Sequence, residues 1–93
     1  MPKPETVNPN NYKVDVVLFD NDEFSIALGT WEKNKNTLAM RWNGDNEKDK
    51  GYPKTFGHPM WFIIHNDLKQ SIVKSLMEKD DKLIDKLLGS SKL

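Results

Sequence analysis

One stretch constrains the fold more than any other, because its residue pattern changes period in the middle. Residues 60–77 read MWFIIHNDLKQSIVKSLM. The part up to Ile64 is aromatic and β-branched with no breaker, which is typical of a strand. The part that follows places Leu68, Ile72 and Leu76 on one stripe at helical spacing. A strand that leads directly into a helix predicts a sheet with that helix folded back across it.

The junction between the two parts carries signals for a helix start. Asn66 and Asp67 are both favourable N-cap residues, and Asp67 with Gln70 forms a capping-box pattern. A polar interruption follows at 79–81, so two helices are predicted at 67–78 and 81–88, with Gly89 as the stop. A single helix with a polar middle remains the alternative.

The residues before this stretch predict three more strands. Alternating apolar residues and turn signals place the four strands at 13–20, 24–32, 37–43 and 59–65. A long loop at 44–58, rich in glycine and charge, separates the last two. The side chains predicted to face the helix are Phe24, Ile26, Leu28, Leu38, Met40, Trp42, Phe62 and Ile64.

These elements predict an α+β fold in which a four-stranded, bent antiparallel sheet is followed by a C-terminal helical segment packed on one face. The chain has 93 residues, which is enough for one domain and no second core. The expected domain covers 12–89. Residues 1–11, rich in proline and asparagine, are expected to be a disordered tail, and 90–93 a C-terminal tail.

Charge and cysteine content narrow the function classes. Formal net charge is zero, but residues 1–32 carry a balance of −4 and residues 33–74 a balance of +4, so the middle of the chain is the part suited to an anion. There is no cysteine, no apolar signal-peptide core and no membrane-length apolar run, which together favour a cytoplasmic protein. The terminal Ser91-Lys92-Leu93 also matches a peroxisomal address.

Nothing in the sequence predicts catalysis. The two histidines, His58 and His65, are seven residues apart on or beside one strand, which puts them on opposite faces if both are extended. No nucleophile elbow, phosphate loop or dinucleotide fingerprint is present. We therefore expect a protein without enzymatic activity, metal site or cofactor.

The face of the sheet opposite the helix holds the most distinctive residues. Alternation puts Trp31, Arg41 and Trp61 there among small side chains. Bases of single strands stack on exposed aromatic rings while nearby cations contact phosphates. The predicted nucleic-acid-binding residues are Trp31, Lys33, Lys35, Arg41, Lys50, Lys54 and Trp61.

A packing interpretation of the same residues stays open. Trp31 and Trp61 would then form a second core, covered by Tyr52 and Phe56 of the long loop or by a second subunit. The runner-up function is a protein-interaction module of unknown partner that uses the open sheet face and the 44–58 loop.

Three segments resemble the single-stranded-DNA-binding transcriptional coactivator family called positive cofactor four. They are LAMRWNG at 38–44, GYPKTFGHP at 51–59 and FIIHNDLKQSIVKSL at 62–76, and the resemblance covers about 24–77. It implies single-stranded nucleic acid as the partner and dimerisation through strand and helix surfaces. The chain departs from the family in its neutral charge and in a longer insertion at 44–50. It also looks like small uncharacterised proteins of bacteria and mobile elements, for which no activity is implied.

The expected function is therefore a non-catalytic module that binds single-stranded DNA or RNA as a homodimer. The strand at 59–65, which is apolar on both faces, and the apolar stripe of the C-terminal segment are the predicted dimer surfaces.

Overall fold

The computed structural model describes residues 2–79, and the predictions for 81–88, 90–93 and the terminal tripeptide lie outside the described residues. A short 3-10 turn at Pro4–Thr6 precedes the sheet. The strands are Tyr12–Asp20 (β1), Phe24–Trp31 (β2), Asn34–Trp42 (β3), Lys54–Thr55 (β4), His58–Pro59 (β5) and Phe62–Ile63 (β6), and the helix is Asn66–Lys79 (α1).

The predicted α+β architecture is confirmed. β1, β2, β3 and β6 form one antiparallel sheet in that order, and α1 follows and contacts β3. The first three strands form a meander joined by short turns. The pairing of β1 with β2 is interrupted by irregularities between Val14 and Val16 and between Val17 and Phe19, which add local twist.

The prediction of a seven-residue fourth strand at 59–65 is wrong, because β6 contains two residues only. Ala39 pairs with Ile63 and Met40 with Phe62. Two residues beyond Met40, Trp42 at the end of β3 is already bonded to Tyr52 through two backbone hydrogen bonds. Since the edge of β3 is occupied there, β6 has no partner beyond Met40.

The long loop contains a small hairpin of its own. β4 and β5 pair around a two-residue turn at Phe56 and Gly57. The Met60 amide, just after β5, donates to the Pro53 carbonyl, just before β4, at 2.9 Å. This hydrogen bond closes the base of the hairpin. The loop at 44–58 is therefore partly regular.

The helix begins at the predicted junction, but with a different cap. His65 accepts a hydrogen bond at Nδ1 from the Asp67 amide at 3.1 Å, and its carbonyl accepts from the Leu68 amide at 2.9 Å. The predicted caps, Asn66 and Asp67, instead lie in the first turn of α1. An acidic residue in that turn complements the helix dipole.

The helix covers one face of the sheet and buries the main core there. Val73 and Leu76 are its buried residues, and Ile72 and Met77 pack beside them. The sheet contributes Leu18, Ile26, Leu28, Leu38 and Ile64, with Val16, Phe19, Phe24 and Met40 partly buried around them. Six of the eight side chains predicted to face the helix therefore belong to this core, whereas Trp42 and Phe62 are exposed and the prediction is wrong for them.

The opposite face is covered by the N-terminal residues, so the expectation that 1–11 have nothing to pack against is wrong for the described part. Val7 is buried with Tyr12 and Trp61 over Ala27 and Ala39. The segment is also hydrogen-bonded to β1, because Asn8 Oδ1 accepts from the Val14 amide at 2.8 Å. The sheet therefore has a core on each side.

Candidate interaction surfaces

Trp61, the centre of the predicted stacking platform, is part of the second core. Only 5% of it is exposed, and its indole Nε1 donates to the Val7 carbonyl at 2.7 Å. The expectation that this indole stands out from an open face is therefore wrong. The cover predicted for a packed Trp61, Tyr52 and Phe56, is also wrong, because both of these side chains are exposed.

The small residues of this face accommodate the chain's own tyrosine. The Tyr12 hydroxyl donates to the Thr37 carbonyl at 2.8 Å, and its ring lies 5.7 Å from the Trp61 ring. A Cβ at Gly29 would lie 2.7 Å from the Tyr12 ring, so only glycine fits beneath it. Sequence reasoning missed Tyr12, which occupies the surface that was assigned to a base.

Arg41 is buried and holds the long loop against the sheet. It is 1% exposed, and its Nη1 donates to the Met60 carbonyl at 2.6 Å while its Nη2 donates to the Lys50 carbonyl. Burial lowers the pKa of this guanidinium, and the nearby Asp49 carboxylate acts in the opposite direction. The expectation that Arg41 is presented on an open face is wrong.

The four predicted lysines are exposed but lie in two separate groups. Lys33 is in the turn between β2 and β3, and Lys35 is the second residue of β3. Lys50 and Lys54 lie beyond the far end of β3, Lys54 as the first residue of β4. Seven residues separate Lys35 from the end of β3, which is about 23 Å along a strand. Trp31, which is half-buried at the margin of the second core, lies at the Lys33 end.

An exposed aromatic pair lies at the other end of β3. Trp42 is 55% exposed and Tyr52 is 65% exposed. Their backbones exchange two hydrogen bonds, of 2.7 and 3.0 Å, and the Trp42 ring meets Phe24 edge-on with centroids 4.8 Å apart. A Cβ at Gly51 would overlap the Trp42 carbonyl, so glycine is needed for this close approach.

These rings line a cleft of about 510 Å³, here called the Trp42 cleft. Its charged residues are three acids, Glu23, Asp45 and Asp49, and one base, Lys54. The Asp49 carboxylate accepts hydrogen bonds from the Asp45 and Gly51 amides, which lower its pKa. The cleft is therefore negative at neutral pH.

Buried polar contacts support the Trp42 cleft from below. Asn43 accepts from the Ser25 hydroxyl at 2.8 Å and donates to the Asp20 carboxylate and the Asp22 carbonyl, each at 3.1 Å. This network ties the turn between β1 and β2 to the end of β3. Since Glu23 belongs to that turn, the network holds Glu23 beside the Trp42 and Tyr52 rings.

A second concave surface lies on the other side of the long loop. It is a groove of about 620 Å³ between the β4–β5 hairpin and residues 6–11, here called the hairpin groove. Lys54 lines the Trp42 cleft whereas Thr55 lines the hairpin groove, as expected for neighbouring residues of one strand. Phe56 at the hairpin tip is 98% exposed.

Within residues 2–79, no group of three or more histidine or acidic side chains is placed to hold a metal ion. The described helix is too short and too polar to cross a membrane. A scan against protein-family models and searches of curated proteins and of solved structures find no match to this chain. The resemblance to the positive cofactor four family therefore stays a prediction.

Proposed function

We propose that this chain is a non-catalytic interaction module that binds a basic, partly apolar peptide segment of another protein in the Trp42 cleft. The observation that carries the proposal is the exposed pair Trp42 and Tyr52 beside three carboxylates. Tryptophan and tyrosine are the residues most often found as energetic anchors in interfaces. The acids select for lysine or arginine in the partner.

The backbone around the cleft favours binding without reorganisation. Trp42 and Tyr52 are joined by a backbone bridge, and Arg41 fixes the residues just before Tyr52 through the Lys50 carbonyl. A surface that is already in its binding conformation loses less conformational entropy when a partner binds. The aromatic pair is thus suited to hold an apolar side chain of the peptide between its rings.

Single-stranded nucleic acid remains the second candidate, at this cleft rather than on the sheet face. Trp42 and Tyr52 are exposed rings on which bases can stack, and Lys54 is beside them. Against it, Glu23, Asp45 and Asp49 repel phosphates at the same place. The sign of the ligand charge therefore separates the two candidates.

The test compares labelled ligands of opposite charge by fluorescence anisotropy. The probes are a short peptide that alternates lysine with leucine, a matched peptide that alternates glutamate with leucine, and an oligothymidylate. We expect the lysine peptide alone to bind. Trp42→Ala should weaken it by about 30-fold, which corresponds to the ~2 kcal/mol of an aromatic hot spot.

A matched pair of charge variants locates the contact. Glu23→Gln should weaken the lysine peptide by about two- to fivefold, whereas Glu32→Gln, an exposed acid at the opposite end of the sheet, should have no effect. If only the oligothymidylate binds, and Trp42→Ala abolishes that binding, the nucleic-acid candidate replaces this one. Failure of all three probes, or equal effects of the two glutamine variants, would contradict the proposal.

A further inference from the structure

The tip of the β4–β5 hairpin combines strain with exposure. Its two turn residues, Phe56 and Gly57, have φ of +50° and +79°. A two-residue turn with positive φ at both positions favours asparagine, aspartate or glycine, and a bulky aromatic residue is unfavourable there. Gly57 suits its position, whereas Phe56 does not.

Packing within the chain does not offset the strain at Phe56. The residue is 98% exposed, so its ring gains almost no burial within the described residues. Because the exposed ring gains no burial on folding, nothing within the described residues compensates the backbone strain of the turn. Such a residue is explained most directly by a contact made outside its own fold.

The hairpin groove beside Phe56 provides a site of suitable chemistry. Val7, Pro9, Pro59 and Met60 supply apolar lining. Of the residues that the structure describes, His58 is the one titratable residue in the lining, and no lysine, arginine, aspartate or glutamate lines the groove. The groove therefore accepts an uncharged, largely apolar group.

We propose that a second copy of this chain occupies the hairpin groove, with Phe56 of each copy inserted into the groove of the other. A projecting ring directly beside a groove of matching chemistry is the self-complementary arrangement that a two-fold interface requires. Because no lysine, arginine or acid within residues 2–79 lines the groove, two identical surfaces can meet there without repulsion. This interface shares Pro59 and Met60 with the strand surface predicted from the sequence, but it does not use α1 and it leaves the Trp42 cleft free.

Light scattering and sedimentation of the full chain at high micromolar concentration test the proposal. The wild type should have twice the chain mass of 10.8 kDa. Phe56→Asn should be monomeric and should also melt at a higher temperature than wild-type monomer measured at high dilution, because asparagine tolerates positive φ. As a matched control, Leu68→Gln removes an exposed apolar side chain from α1 and should leave the dimer intact.

A mixing experiment tests the reciprocal fit. Thr55→Trp fills the hairpin groove but keeps Phe56, so it should be monomeric alone. Mixed with Phe56→Asn, which keeps an open groove, it should form a weaker heterodimer through the one contact that remains. A monomeric wild type, a dimeric Phe56→Asn, a species larger than a dimer, or no association in the mixture would each overturn the proposal.

Discussion

Trp42 is the last residue of β3, and Trp61 immediately precedes the neighbouring strand β6, yet the environments of the two rings differ completely. Trp61 is covered by Val7 and Tyr12, whereas Trp42 is exposed to solvent between Tyr52 and Glu23 of the β1–β2 turn. Strand alternation predicted the opposite arrangement, with Trp42 beneath the helix and Trp61 on the open face. Whether an aromatic residue on a sheet is buried therefore depends on whether a distant segment of the chain covers it.

Two cations near the long loop also differ in burial. Arg41 is buried and donates to two loop carbonyls, while Lys54 is exposed beside the Trp42 cleft. The buried cation therefore holds the loop in place, and the exposed residues around that loop are available for a partner. One region determines the stability of the fold, and the other is free to change with function.

The largest expected effect comes from the two tryptophans themselves. Trp61→Ala removes a buried ring and its hydrogen bond, and should lower the free energy of unfolding by ~3–5 kcal/mol. Trp42→Ala should lower it by less than ~1 kcal/mol, because its ring is half in solvent. Urea unfolding of both variants measures the contrast. Equal losses would remove the distinction between a core and a surface tryptophan.

A smaller effect is expected from the buried guanidinium. Arg41→Met keeps the bulk of the side chain but leaves the Met60 and Lys50 carbonyls without their donor, and should cost ~1–3 kcal/mol. The control Lys54→Met removes an exposed cation from the same loop and should leave stability unchanged. The measurement is again urea unfolding, with amide hydrogen exchange of residues 50–60, which should accelerate only in Arg41→Met. An Arg41→Met protein as stable as the wild type would contradict the clamping role.

Strand alternation predicted much of the fold. Phe24, Ile26 and Leu28 were assigned to the helix face from their spacing alone, and they meet the helix-side core. The period change after Ile64 placed the start of α1 within one residue. These features are local, since they depend on residues that are neighbours in the chain.

The cover of the second face could not be predicted in the same way. Residues 1–11 have the composition of a disordered tail, and the hydrogen bond from Trp61 to Val7 spans 54 positions. Alternation assigned Trp61 to the correct face but carries no information on what lies above it. β6 is short because of another contact between distant residues, since Tyr52 of the loop pairs with Trp42 at the edge of β3.

For this reason the candidate site is the Trp42 cleft and not the sheet face that the sequence predicted. Of the residues predicted to form one surface, Arg41 and Trp61 are buried and the lysines are divided between the two ends of β3. Trp42 was assigned to the helix face, where α1 was expected to cover it. The structure shows that α1 leaves Trp42, at the end of that face, exposed, and strand alternation does not predict how far a helix extends over a sheet.

Indole hydrogen exchange measures whether the N-terminal segment closes the second face, because the chain has three tryptophans whose indole N–H signals are resolved by nitrogen-edited NMR. Tryptophan-to-phenylalanine variants assign them. The Trp61 indole N–H, bonded to the Val7 carbonyl, should exchange orders of magnitude more slowly than that of Trp42 and should show contacts to Val7 protons. If the Trp61 signal exchanges as fast as that of Trp42, the N-terminal segment does not close the second face and the account fails.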